Sequence, residues 1–196
     1  MATWRSMRVM VLAMSLACVL PAVAFGQANP PPKLDAPSLA PFVPTPQDVV
    51  ERMLKLAGVT KRDVVYDLGC GDGRIVIMAA QKFGARAVGV DINPQRIKES
   101  EENARKAGVG ALVTFKLQDA MTTDVSKATV VTLYLLSSSN VMLRPMLTKQ
   151  LKPGARIVSH AFDMSDWPPE KVERFTDEMG IARTLYLWKA DGKVRQ

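Results

Sequence analysis

Two cysteines and one histidine are all that the chain offers as soft or imidazole ligands. Cys18 falls in an apolar N-terminal stretch and Cys70 in a glycine-rich one, so the body of the chain has no pair for an internal disulfide. No histidine-paired arrangement makes Cys70 a nucleophile. His160, the single histidine, stands at the end of an expected strand and reads as structural. No metal site is expected. A basic cluster is also missing. The net charge is +7, but the lysines and arginines are scattered, which speaks against a nucleic-acid stripe and for an ordinary solvated surface. Internal repeats are absent. Hydrophobic content of 47% and charged content of 23% are those of a globular protein, and 196 residues suffice for one domain.

The chain opens on Arg5 and Arg8, followed by an apolar run from Val9 to Phe25 that Pro21 interrupts. Small residues at Ala22 and Ala24, and at Gly26 and Ala28, offer two cleavage sites. The run is slightly short for a membrane span of about 20 residues. Residues 1–28 are therefore expected to be a signal peptide, with a retained anchor as the alternative. Export to the periplasm or cell envelope follows, and a cytoplasmic or membrane-anchored protein is the other outcome. From Asn29 to Pro46, seven of eighteen residues are proline, which excludes helix and sheet interior. Residues 29–44 read as a linker, residues 45–190 as the folded domain and residues 191–196 as a tail.

Within the domain, apolar runs alternate with helical segments. "TPQDVVERMLKLAG" reads as a helix with Thr45 as cap, Pro46 in the first turn, Asp48 three residues after the cap and Gly58 at the end. "DVVYD", "RAVGVD", "LVTFKLQD", "ATVVTLYLL" and "ARIVSHAF" read as strands. "RIVIMAAQKF", stopped by Gly84, and "NPQRIKESEENARKAG", capped by Asn93 and ended by Gly108, read as helices between them. A fourth helix, "SNVMLRPMLTKQLKPG", contains Pro145. "KVERFTDEMG" and "RTLYLWKA" close the chain as two strands with no convincing helix between them. This order predicts an α/β fold with a seven-stranded, mostly parallel sheet, helices on both faces and a C-terminal β-hairpin.

The stretch "YDLGCGDGR", Tyr66 to Arg74, places Gly69, Gly71 and Gly73 directly after the first strand. In such a sheet, ligands bind beyond the carboxyl ends of the strands, where strand order reverses. Glycines there permit close approach of backbone to ligand. A tight structural turn is the plainer alternative. Asp67, Asp91 and Asp119 end the first three strands and fall at the same rim. A carboxylate after the second strand can accept both hydroxyls of a ribose. The spacing is G-x-G-x-G rather than the G-x-G-x-x-G of dinucleotide sites. Asp72 inside the loop is expected to repel phosphate. A cofactor with ribose, adenine and positive charge but no phosphate is implied, and S-adenosylmethionine fits.

"VVYDLGCGDGR", "GVDINP" and "LQDA" resemble the first three motifs of class I S-adenosylmethionine-dependent methyltransferases, which have a Rossmann-like sheet. The match spans most of residues 41–190. "PFVPTP", "GDGRIVI" and "LKPGARIVSHAFDMSDWPP" resemble the lysine methyltransferases that modify the c-ring protein of ATP synthase and the adenine nucleotide translocase, with their bacterial relatives. That resemblance implies that Asp67, Gly69 and Gly71 hold the methionine part, Asp91 the ribose and Asp119 the adenine amino group. It also implies that Phe42 to Thr45 close over the cofactor. The implied activity is N-methylation of a lysine in a protein, which could be membrane-associated. A small-molecule methyltransferase and an exported cofactor-binding module without methyl transfer are the alternatives, and a nucleic-acid substrate is not expected. The acceptor side falls beyond the fourth strand, around Tyr134 to Asn140, with Tyr134 as a candidate for orienting the acceptor or, more simply, for core packing. Asp163, Asp166 and Trp167 could form its rim, although a tryptophan such as Trp167 is more often a packing residue.

Overall fold

The computed structural model describes Met1, Leu34 and residues 36–196. Residues 31–196 form one compact unit, and everything below concerns it. The expected leader and the first part of the proline segment lie outside the described residues.

Seven strands form a single sheet: β1 Val64–Leu68, β2 Arg86–Asp91, β3 Val113–Leu117, β4 Val130–Leu133, β5 Arg156–His160, β6 Lys171–Thr176 and β7 Ala182–Lys189. Their spatial order is β3-β2-β1-β4-β5-β7-β6. The first five run parallel, while β7 is antiparallel to both β5 and β6. The chain reverses its direction of travel across the sheet between β1 and β4, so the crevice for a ligand opens at their carboxyl ends. The expected seven-stranded α/β architecture is what the structure shows.

Four helices flank the sheet: α1 Gln47–Leu56, α2 Arg74–Phe83, α3 Pro94–Lys106 and α4 Ser137–Gln150. Alternate residues of each strand serve opposite faces. Val65, Val130 and Val158 pack under Val49, Val50 and Met53 of α1 and Val76 and Ala79 of α2. Leu68, Val131, Leu133 and Ile157 pack under Leu143 and Leu147 of α4. Ala104 of α3 packs with Ala80 of α2 at the sheet's β3 side.

Glycines end α2, and one also opens it. Gly73 (φ 82°) is the N-cap and Gly84 (φ 65°) the C-cap, both in the left-handed region. Asn93 caps α3 by accepting the Gln95 N–H over 2.9 Å, ahead of Pro94 in the first turn. The start of α1 differs from expectation. Pro46 occupies the N-cap, the helix has no side-chain cap, and Thr45 is buried just outside it. Asp48 caps nothing in its own helix. Its Oδ2 accepts the Glu178 N–H over 2.9 Å and so ties α1 to the turn between β6 and β7. The apolar run of the fourth strand leaves the ladder after Leu133, and Leu135 instead packs over Gly69. Among the described residues no helix is long and apolar enough to cross a membrane. The last residues pack on the domain: the Arg195 N–H donates to the Thr148 hydroxyl over 2.9 Å, and its guanidinium lies 4.5 Å from the Trp167 ring centre.

Candidate functional site

A cavity of about 560 Å³ opens at the carboxyl ends of β1, β2 and β4, within the range usual for small-molecule sites. Asp67, Gly69, Gly71, Asp91, Asp119, Tyr134 and Thr45 all line it. The sequence-predicted site residues are thus brought together in one place.

Asp67 is the deepest. It lies opposite Thr132 in the β1–β4 ladder, and the Thr132 hydroxyl donates to its Oδ1 over 2.7 Å. Its Oδ2 accepts no bond among the described residues. Burial, opposed by that hydroxyl and reinforced by the charges of Asp91 and Asp72, pushes its carboxyl up to about 7. Asp91 is half-buried, and each of its oxygens takes one backbone donor. Gly71 N–H reaches Oδ2 at 2.9 Å, and Asn93 N–H reaches Oδ1 at 2.9 Å. The glycine loop and the acid after β2 are therefore one hydrogen-bonded unit, with the carboxylate fixed in orientation. Asp119 caps a short 3-10 turn, Ala120–Thr122, through Oδ1 and the Met121 N–H at 2.8 Å. Its Oδ2 is left without a partner among the described residues. None of these three acids forms an ion pair there, so the cavity carries uncompensated negative charge.

The loop between β1 and α2 is shaped from both sides. Gly69 N–H and Cys70 N–H both donate to the Val90 carbonyl, at 2.8 and 2.9 Å. Cys70 is buried, and burial together with the charge of Asp67 raises its thiol well above the ordinary range, so it is no nucleophile. Gly71 has φ 53°, and a Cβ there would collide with the ring of Phe42. The glycine at 71 thus admits a side chain of this same chain, a packing role absent from the sequence expectation. The Arg96 guanidinium covers the ring 4.3 Å from its centre.

The expectation that Asp72 repels phosphate is corrected. Burial alone would raise its carboxyl, but Arg74 holds it below the usual range through two bonds, Nε to Oδ1 at 2.9 Å and Nη2 to Oδ2 at 2.6 Å. Arg74 also donates through Nη1 to the Thr45 carbonyl at 2.7 Å, fastening the lead-in segment to the loop. Asp72 is thus ionised and paired with Arg74, whereas Asp91 and Asp119 face the cavity without an ion pair among the described residues. Residues 36–45, the end of the proline-rich segment, form the cavity's outer wall without regular structure.

Tyr134 follows β4 and lines the cavity, with its ring 4.1 Å from that of His160 and 6.3 Å from that of Phe162. His160 is fully buried and neither ring nitrogen has a partner among the described residues. Burial and the nearby Arg183, opposed by Asp177, lower its pKa to about 4, so the imidazole is neutral. Trp167 is not on a rim. It is buried against Trp188, whose indole N–H donates to the Trp167 carbonyl over 2.9 Å. Asp166 is bound to Arg144 away from the cavity. Among the described residues no three metal-ligating side chains come together.

Sequence reasoning missed Arg74 and Arg96 as shaping residues, and it had Phe42 only as part of the segment that closes over the cofactor, not as the ring against Gly71. "GDGR" carried a signal for the first, because an arginine two residues after an acid in a tight loop can return to it. Nothing local could have found Arg96 over the Phe42 ring.

The strand order, the glycine loop and the rim of acids define a Rossmann-like protein of the methyltransferase class. Comparison with known proteins sharpens this. Residues 67–171 match the family model described as the ANTKMT methyltransferase domain, and the chain belongs to that family. It is 48% identical over 149 residues to a protein-lysine N-methyltransferase of Saccharolobus islandicus, covering 76% of this chain and 92% of that one. It is 34% identical to the adenine nucleotide translocase lysine N-methyltransferase of Mus musculus over 67% of this chain, and it spans 57% of that relative's length. It is also similar to a crystal structure of an RNA methyltransferase from Salinibacter ruber in complex with S-adenosyl-L-homocysteine. That match has a TM-score of 0.73 and 51% identity, over 79% of this chain and 97% of that chain.

Proposed function

We propose that the protein transfers a methyl group from S-adenosylmethionine to the amine of a lysine side chain in a protein. The observation that carries the cofactor is the convergence on one cavity, beside the glycine loop, of three acids that have no ion pair among the described residues. A ligand with a cationic end and a ribose diol fits that arrangement, and Asp72, paired with Arg74, does not oppose it. S-adenosylmethionine supplies a methyl group already activated by its sulfonium. In this assignment Asp91, held by two backbone N–H groups, accepts the ribose hydroxyls, and Asp119 Oδ2 accepts from the adenine amino group. Asp67, Gly69 and Gly71 face the methionine part. Thr45 and the lead-in exclude water from that end, and Tyr134 faces the acceptor.

The lysine acceptor draws on the names of the archaeal and mammalian relatives. A second reading, methylation of RNA, draws on the description of the Salinibacter protein at 51% identity. The scattered basic residues favour the protein acceptor. Transfer of labelled methyl groups to fractionated lysate decides between them. Label on lysine, located by mass spectrometry, is the expected result; label confined to RNA would overturn it.

Residues 1–28 add a proposed location, the cell envelope, and a membrane-associated acceptor would suit it. Residues 45–190 would then be the catalytic domain carried there. N-terminal sequencing of the fractionated native protein tests the export. A cytoplasmic product beginning near Met1 would sink it.

A further inference from the structure

The acids and the glycine loop leave one built feature unexplained, the turn after β5. Only two residues other than glycine have positive φ among the described residues, Ala161 at 65° and Ser165 at 54°. Such conformations are unfavourable for side-chain-bearing residues and persist where the surroundings impose them. Here the imposition is visible. The Phe162 N–H donates to the His160 carbonyl over 2.9 Å and closes a tight turn around Ala161. Asn140, buried in the first turn of α4, donates through Nδ2 to the carbonyls of Phe162 at 3.1 Å and Asp163 at 3.2 Å. The Ser159 hydroxyl donates to the same Phe162 carbonyl at 2.6 Å. Side chains from two elements, α4 and β5, grip the backbone of this turn.

The turn presents Phe162 and Asp163. The Phe162 ring stacks on Tyr134 with planes 29° apart, and Tyr134 is also a wall of the cofactor cavity. Asp163 is half-buried, and its Oδ1 takes the Ser165 N–H at 3.2 Å and the Ser137 hydroxyl at 3.3 Å. The two acids of "DMSD" therefore differ. Asp166 is paired with Arg144, whereas Asp163 has only neutral donors among the described residues. A carboxylate next in the chain to Phe162, without a cationic partner among the described residues, and a ring pair of which Tyr134 reaches the cavity together suit a cation on an aliphatic stem.

We propose that Tyr134, Phe162 and Asp163 form the subsite for the acceptor lysine, a role that rests on the lysine reading above. The two rings carry the methylene stem and Asp163 draws the ammonium group. Asn140 and Ala161 are positioning residues that fix the turn.

A probe that needs no knowledge of the natural acceptor tests this: S-adenosylhomocysteine carrying an aminoalkyl arm in place of the transferred methyl. Calorimetry on the full chain compares it with S-adenosylmethionine, which carries the same sulfonium charge, and uses plain S-adenosylhomocysteine to report cofactor binding alone. The arm should tighten wild-type binding about tenfold or more, the scale of one charge-assisted contact. Asp163→Asn should lose most of that gain and Phe162→Ala part of it, while Asp166→Asn keeps it. Affinity for plain S-adenosylhomocysteine should stay unchanged in all three, which also reports that they fold. No gain in the wild type, or a gain that Asp163→Asn retains, overturns the subsite. Labelled methyl on lysine together with a gain insensitive to Asp163 removes the subsite alone. Label confined to RNA removes the lysine reading and the subsite with it.

Discussion

Asp63 and Asp67 stand at opposite ends of β1 and differ in every partner. Asp63, just before the strand, accepts the Thr60 N–H at 2.7 Å, the Thr60 hydroxyl at 3.0 Å and the Thr129 hydroxyl at 2.8 Å, and it pairs with Arg156. Burial would raise its carboxyl, but these donors outweigh it and hold it below the ordinary range. Asp67 is more deeply buried and has one hydroxyl. Its carboxyl is pushed the other way. The amino edge of the sheet is thus closed electrostatically, and the carboxyl edge is left open. A fold that satisfies one buried acid so fully does not leave three others short for want of donors. The free Oδ2 atoms of Asp67 and Asp119, and the lack of an ion pair at these two and at Asp91 among the described residues, mark the edge that a ligand would complete.

The contrast is broken most directly at its closed end. Asp63→Ala removes the bonds from Thr60 and Thr129 and leaves Arg156 without its carboxylate at the base of β5. Arg156 is partly exposed, so the expected loss is about 2–4 kcal/mol, toward the lower end of buried pairs. Urea unfolding measures it. Affinity for S-adenosylhomocysteine should not change, and a fall in affinity as large as that of a rim acid would erase the distinction between the edges.

Asp91→Ala attacks the open end. Here stability should fall less than for Asp63→Ala, through the Gly71 and Asn93 N–H groups that lose their acceptor, while cofactor affinity falls about tenfold to hundredfold, the loss of bonds to a charged acceptor. Calorimetry reads it, and unchanged affinity would remove the ribose assignment.

Much of this contrast was legible in the chain. Acids at the ends of three apolar runs, with glycines after the first, announce the open edge because strand ends and loop residues are local signals. Gly84, Asn93 and Gly108 likewise mark helix ends through their own backbone preferences. The closed edge was not legible, since Asp63 meets Thr129 and Arg156 only after the sheet forms. The same holds for Phe42 against Gly71 and for Asp48 on Glu178, which lie far apart in sequence. Asp72 was misjudged because charge was read without geometry: Arg74 was visible two residues on, but its return to the loop was not. Trp167 read as a packing residue before a rim one, and Trp188 from the last strand buries it, a partner that no local signal names.

Asp67 sharpens the comparison through pH. A cationic cofactor favours its ionised form, so binding should release a proton where the free site holds one, near pH 7. Affinity should therefore rise with pH, about fivefold to tenfold between roughly pH 6 and 8, and Asp67→Asn should flatten the profile. For folding without ligand the direction reverses. The native carboxyl keeps its proton to about 7 and the unfolded one only to 3.8, so Asp67 makes the protein less stable as pH climbs through that window. A flat affinity profile in the wild type would mean that the cation does not reach Asp67.

His160 gives the smallest effect and acts oppositely to Asp67 as pH changes. Its native pKa of about 4 lies below the ordinary value of 6.5. Above pH 6.5 neither state carries the extra proton. As pH falls toward 4 the unfolded chain takes it up and the native ring, packed against Tyr134 with both nitrogens unpartnered among the described residues, refuses it. Stability from this group is thus present at neutral pH and lost on the way to 4. His160→Phe removes both the unpaired nitrogens and the titration while keeping a flat ring. It should leave stability within about 1 kcal/mol of the wild type at pH 8, where relief of two unsatisfied atoms offsets imperfect packing. At pH 5 the variant should gain on the wild type by about 1–2 kcal/mol, because Arg183, Asp177 and the titration of Asp67 are common to both proteins and cancel in the difference. Urea midpoints for the pair at the two pH values supply that difference. An equal gap at both would show that His160 is charged in the folded protein, or that its proton is held alike in the two states.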